Sequence, residues 1–169
     1  MSVAVRPADT RDAPAIRALH LAAFPTAAEA DLVDRLEEDG DRVLSLVAED
    51  GPQIIGHILM SRMRVEGGGR SFRALGLAPV AVLPERQGEG VGRALVGEAL
   101  ACAVAGGEEL VFVVGEPDYY GRFGFSTATA APFASPYAGP YLMAQAFGDV
   151  TLPPSARADY PPAFAGLGP

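Results

Sequence analysis

The stretch Val80-Ala81-Val82-Leu83-Pro84-Glu85-Arg86-Gln87-Gly88-Glu89-Gly90-Val91-Gly92-Arg93-Ala94-Leu95 runs from an apolar strand through three closely spaced glycines into a helical pattern. Beyond it, Leu95, Ala99 and Cys102 continue the helical period, so the glycines sit at the start of a helix. Glycine has no Cβ to keep a ligand from the backbone, and a helix start offers amide hydrogens at the positive end of its dipole. Together they suit an anion. Spacing excludes a Rossmann fingerprint, because neither Gly88-x-Gly90-x-x-Arg93 nor Gly90-x-Gly92-x-x-Leu95 completes Gly-x-Gly-x-x-Gly/Ala. A P-loop is excluded because no Lys-Ser/Thr pair follows the glycines. What remains is Gln-x-x-Gly-x-Gly, at Gln87, Gly90 and Gly92.

Upstream of this junction, Val3 to Arg6 alternates as a strand, and Asp9, Thr10 and Asp12 supply capping oxygens for a helix over Ala13 to Phe24. Pro25 and Thr26 interrupt the period before a second helix carrying Leu32, Val33 and Leu36. Val43 to Glu49 and Gln53 to about Arg64 read as a hairpin across Asp50-Gly51, and Gly67 to Gly69 turn the chain into a long strand from Arg70 to Leu83. Pro79 inside that strand implies a bulge or a lost ladder bond. Downstream, Leu110 to Val114 is a short buried strand, and Tyr119 to Phe125 is an aromatic turn or short helix leading to another strand. The predicted order is β-α-α-β-β-β-α-β-α-β. After Ala128 alanine, proline and glycine dominate, with one strand candidate at Tyr141 to Phe147 and a proline-rich tail after Leu152.

The junction resembles the acetyl-CoA signature of the GNAT N-acetyltransferase superfamily, where Gln-x-x-Gly-x-Gly follows a Val-x-Pro strand end, here Val82-Leu83-Pro84. Tyr119-Tyr120-Gly121-Arg122-Phe123-Gly124-Phe125 is similar to that superfamily's Tyr-x-x-x-Gly-Phe segment, in the Tyr-Tyr-x-x-Phe-Gly-Phe form of a bacterial branch. The resemblance covers about three quarters of the chain, with boundaries good to about 2 to 4 residues. It implies an α/β (α+β) GNAT fold, a mixed, mostly antiparallel sheet splayed at the cofactor with helices on both faces. Residues 1–169 would form a single such domain, with 132–169 its less typical part.

The resemblance further implies that the backbone of Val80, Ala81 and Val82 pairs with the pantetheine arm of acetyl-CoA, the cosubstrate, as a substitute strand. Amides of Gln87, Gly88, Glu89, Gly90, Val91, Gly92 and Arg93 would surround the diphosphate, with Arg86 or Arg93 adding charge. Glu89 stands where many relatives are basic, and its charge would oppose the diphosphate unless it points to solvent. Tyr120 matches the proton-donor position, with Tyr119 structural; a phenol of ordinary pKa about 10 is protonated at neutral pH. A backbone amide near Val82 is the implied oxyanion donor. The strand Ser71 to Leu83 contains no carboxylate where several relatives carry their base. An ordered water is one substitute. Glu29, in the turn between the first two helices, is another; it would meet an ammonium group, and it would equally serve as a helix-start carboxylate favoured by the macrodipole.

The two histidines carry no such role. His57 lies among apolar neighbours in strand Ile54 to Met60, as a satisfied, partly buried ring, and His20 is expected at the surface or edge of helix one. Cys102 shares the apolar face of its helix with Leu95 and Ala99, which points to packing and not to an acetyl-enzyme. No metal site is suggested, and a single cysteine permits neither an internal disulfide nor a thiolate cluster, which fits a reducing cytoplasm. With 13 basic and 21 acidic residues the net charge is -8, which argues against nucleic acid as partner. The apolar runs are too short to cross a membrane.

The expected activity is therefore transfer of acetyl from acetyl-CoA to a primary amine, on a small molecule or on a peptide N-terminus or lysine. The alternative from another class is a non-catalytic acyl-CoA-binding sensor or regulatory module. Tyr137, Tyr141 and Phe147 are candidates either for shaping the acceptor pocket or for a homodimer interface.

Overall fold

The structure, a computed structural model, describes residues 3–167. These divide into two compact units, the first made of 3–61 and 78–101 and the second of 62–77 and 102–167.

In the first unit β1 (Val3–Pro7) runs antiparallel to β2 (Arg42–Asp50), joined through α1 (Ala13–Ala23) and α2 (Ala28–Glu38). A capping box fixes the 3-10 turn Thr10–Asp12 that leads into α1: Asp9 accepts from the Arg11 amide, and Asp12 accepts from the Asp9 amide at 2.8 Å. Asp12 also receives Arg6 through two hydrogen bonds, of 2.8 and 3.0 Å. Its carboxyl is thereby held down at about 2, chiefly by the Arg6 hydrogen bond.

β2 turns at Gly51, whose φ of 58° is left-handed, into β3 (Gln53–Gly67). Leu46 to Ala48 and Ile55 to Met60 are buried without alternation, the mark of strands covered on both faces. The cover follows from neighbouring residues of β3. A Cβ on Gly56 would lie 2.9 Å from the side chains of Leu95 and Val91, so glycine is what lets α3 (Val91–Ala105) sit that close. His57, one residue on and facing the opposite way, meets His20 of α1. The C-terminal part of β4 (Arg70–Val82) also belongs to this unit.

In the second unit β4 pairs in parallel with β5 (Leu110–Val114) through Ala74–Gly76, and β5 continues antiparallel to β7 (Leu142–Ala146). Between them lie α4 (Pro117–Tyr120), α5 (Thr127–Ala130) and the short β6 (Phe133–Ala134). Phe72, Phe112, Phe133 and Leu142 fill the core, with Phe112 and Phe133 edge to face at 5.1 Å. Glu108, buried at the start of β5, is answered by Arg62 and Arg73.

The sheet is mixed and mostly antiparallel, with helices, as the sequence implies. Two expectations need correction. The strand expected directly after Phe125 is reduced to a single bridge between Ser126 and Ala144, followed by α5. The tail after Leu152 is not featureless: β8 (Ala156–Asp159) pairs antiparallel with Arg64–Gly67 of β3 and parallel with β6. Its pairing comes from a strand some ninety residues earlier, and Gly67 makes the approach possible, since a Cβ there would lie 2.5 Å from that of Ala156.

Candidate active site

The glycine junction is assembled from main chain. β4 ends at Val82, the Leu83 amide bonds to the Ile55 carbonyl at 2.9 Å, and Pro84–Arg86 form a single 3-10 turn. Gly88 and Gly90 then take φ of 81° and 89°, and space around both would be open to a Cβ. Conformation, not crowding, demands glycine there. The Ala94 amide makes the first bond of the helix, to the Gly90 carbonyl at 3.0 Å, so the amides of Val91, Gly92 and Arg93 precede the helical ladder at its positive end.

Side chains brace this loop from outside. Gln87 Nε2 donates to the Val82 carbonyl at 3.1 Å, tying the loop to the strand end. Glu89, expected to repel an anion, is paired with Arg86 at 3.0 Å, and Arg86 also holds Asp50 at 3.0 Å. The Glu89 charge is thus answered locally, and Arg86 is committed to two carboxylates. Of the strand residues, Ala81 is buried and Val80 and Val82 half-buried; they lie beyond the three-residue ladder of β4 with β5.

Tyr120 closes α4 in the second unit. Its ring stands edge-on to Tyr119 at 5.0 Å and to Phe125 at 5.9 Å. Burial, with a smaller contribution from Tyr119, pushes its phenol up to about 12, so it remains a proton donor across the working range. Gly115 is a residue that sequence reasoning missed: a Cβ there would lie 2.4 Å from the Tyr120 ring. The available signal was a lone glycine closing a buried strand five residues before the tyrosine.

Glu29 lies in the first turn of α2, not in the preceding turn, and one of its carboxylate oxygens is buried without a protein partner. His20 is corrected more fully. It is completely buried, stacked on Phe24 at 5.9 Å, with Nε2 2.9 Å from His57 Nδ1. His57, also completely buried, is bonded through Nε2 to Ser45 Oγ at 2.9 Å. Desolvation lowers His20 to about 4 and, with the neighbouring His20 ring, His57 to about 3, so both are neutral at physiological pH. A helix position that is polar in type reads as exposed; the partner 37 residues away is invisible to periodicity.

The acetyltransferase (GNAT) domain profile matches residues 4–128. The chain belongs to the GNAT acetyltransferase family. Among its GNAT relatives is the N-acetyltransferase YhbS of Escherichia coli K12, 42% identical over 118 residues, which are 69% of this chain and 70% of YhbS. The crystal structure of Escherichia coli YhbS in complex with CoA superposes with a TM-score of 0.84 at 31% identity, covering 96% of this chain and 92% of that one. A GNAT acetyltransferase from Brucella melitensis in complex with acetyl-CoA gives 0.80 at 33% identity, covering 96% and 98%. Among the described residues of this GNAT chain, no group of three or more His, Cys, Asp or Glu is arranged to hold a metal, and no helix is long and apolar enough to cross a membrane.

Proposed function

We propose that this chain transfers the acetyl group of acetyl-CoA by direct attack of a primary amine, on a small molecule or on a peptide N-terminus or lysine. The observation that carries this is the pair of left-handed glycines ahead of α3, which leaves Val91–Arg93 amides before the helical ladder in a chain whose GNAT relatives were crystallised with CoA or acetyl-CoA. Amides of Gln87, Gly88, Glu89, Gly90, Val91, Gly92 and Arg93 hold the diphosphate, and the Glu89–Arg86 pair keeps a bare carboxylate away from it. The backbone of Val80, Ala81 and Val82 pairs with the pantetheine arm. Acetyl-CoA supplies a thioester carbonyl that an amine can attack.

Glu29 receives the amine as its ammonium, which loses a proton to water before attack. The nitrogen then bonds to the carbonyl carbon, an amide near Val82 stabilises the oxyanion, and the C–S bond breaks. Tyr120 protonates the departing thiolate, and the second proton, shed by the new amide nitrogen, returns through water to the Tyr120 phenolate.

Release of free CoA across a panel of primary amines tests this reading. At least one should exceed the hydrolysis background, and none doing so would contradict it. Tyr120→Phe should lower turnover about a hundredfold while leaving the thermal shift with CoA unchanged; full turnover in that variant removes the acid assignment.

A further inference from the structure

The tail of the second unit forms an open pocket from residues that have no part in the proposed acetyl transfer. Its volume is about 270 Å³, and it is lined by Tyr137, Asp159, Tyr160 and Phe164 together with the exposed Pro136 and Pro162. Pockets for drug-sized ligands run from about 300 to 1,000 Å³, so this one suits a single small group.

The three rings meet as a corner. Tyr160 stands edge to face with Tyr137, centroids 5.1 Å apart and planes at 72°, and Phe164 lies on it at 4.9 Å with planes at 54°. Tyr137 and Tyr160 are half-buried and present ring surface to the pocket, while the buried Phe164 backs them. A Cβ on Gly76 would lie 2.9 Å from Tyr160 Cε1, so the Tyr160 ring rests where β4 has no side chain. Tyr137 Oη donates to the Phe164 carbonyl at 3.2 Å and fastens residue 137 to the 3-10 segment Pro162–Leu167. The Tyr160 hydroxyl is buried with no partner among the described residues, a costly arrangement that phenylalanine would avoid. Packing alone therefore does not account for a tyrosine there.

Aromatic faces carry negative potential and attract a cation held within about 6 Å of the ring centroid. Burial raises both phenols above their ordinary value, so neither is ionised at neutral pH and the attraction comes from the rings themselves. Among the described residues lining the pocket Asp159 alone is charged, and it gives Oδ2 to the exposed Arg157 at 2.9 Å. An ammonium rich in N–H groups would exchange water for walls of carbon here. N-alkyl groups remove those N–H groups and offer carbon surface to the rings and prolines. We infer that this pocket binds a small alkylated ammonium ion, free in solution, such as a trimethylammonium compound. The site stands independently of the acetyl-transfer reading, since a quaternary nitrogen has no lone pair with which to attack a thioester.

The test follows the tyrosine ring carbon–proton signals of the full chain during titration with tetramethylammonium chloride, at ionic strength held constant by sodium chloride, and with tert-butanol as a neutral counterpart of similar shape. The Tyr137 and Tyr160 signals should move and saturate with tetramethylammonium, at an affinity about tenfold above that for tert-butanol. Tyr137→Leu should weaken the cation about tenfold. Tyr137→Phe keeps the ring face and loses only the bond to the Phe164 carbonyl, so its affinity should stay within about threefold. Choline should displace tetramethylammonium, and phosphatidylcholine vesicles should not carry the protein down on sedimentation. Unmoved ring signals, equal affinity for tert-butanol, or a Tyr137→Phe variant as impaired as Tyr137→Leu overturns the inference. Sedimentation with the vesicles overturns the free ligand in favour of a lipid headgroup.

Discussion

The junction at 87–93 and the buried chain Ser45–His57–His20 both belong to the first unit, yet they are built from opposite materials. The junction uses main-chain amides and two left-handed glycines on the surface, braced by the exchangeable ion pair of Arg86 with Glu89. The buried chain uses three side chains, two of them with no solvent contact, linked at 2.9 Å. A surface of amides tolerates most side chains provided the backbone conformation is kept. A buried polar chain tolerates little, because each member satisfies the next. Loss at the junction should therefore appear in ligand binding, and loss in the buried chain in stability.

The largest expected effect is acid lability of the buried chain. Both rings have folded pKa values below the ordinary 6.5, at about 4 and about 3. From pH 6.5 downward the unfolded chain therefore binds protons that the folded chain refuses. Their contribution is complete above that pH and declines as pH falls towards the folded values, by up to about 1.4 kcal/mol per pH unit for each ring. Urea unfolding at pH 6.5 and 5 should differ by about 3 kcal/mol. Asp12, held at about 2, loses its contribution only below about pH 4, so the two windows separate. Equal stability at the two pH values would show that the histidines are not buried neutral.

Gly90→Ala comes next. Its left-handed φ penalises a side chain by about 1–2 kcal/mol, and distortion of the amides should weaken CoA about tenfold or more, read by calorimetry. Unaltered affinity would mean that the glycine serves the fold alone. The smallest effect is Glu89→Gln, which leaves Arg86 with Asp50 as its remaining carboxylate and should strengthen CoA binding only about two- to threefold, a gain that salt removes. A large loss in that variant would make the ion pair essential and break the contrast.

Sequence legibility follows the same division. The strand, glycine loop and helix from Val80 to Leu95 were readable because local rules governed them: an apolar run, glycine spacing and a helical period. β8 was not, because Ala156–Asp159 is four residues in a proline-rich tail and gains its ladder from β3 and β6. His20 was misjudged for a related reason, its partner lying on a distant strand. Gly115 is conspicuous only once the Tyr120 ring is seen against it. Tyr120 and the junction were singled out through motif resemblance; the brace of Arg86 on Glu89 and Asp50 is visible only in the folded chain.

Backbone amide chemical shifts recorded with and without CoA test the central claim most directly. The diphosphate grip predicts that Gly88, Gly90, Val91, Gly92 and Arg93 shift most, and saturate together. Binding of CoA that leaves those amides unmoved while others respond, or no binding at all, contradicts it.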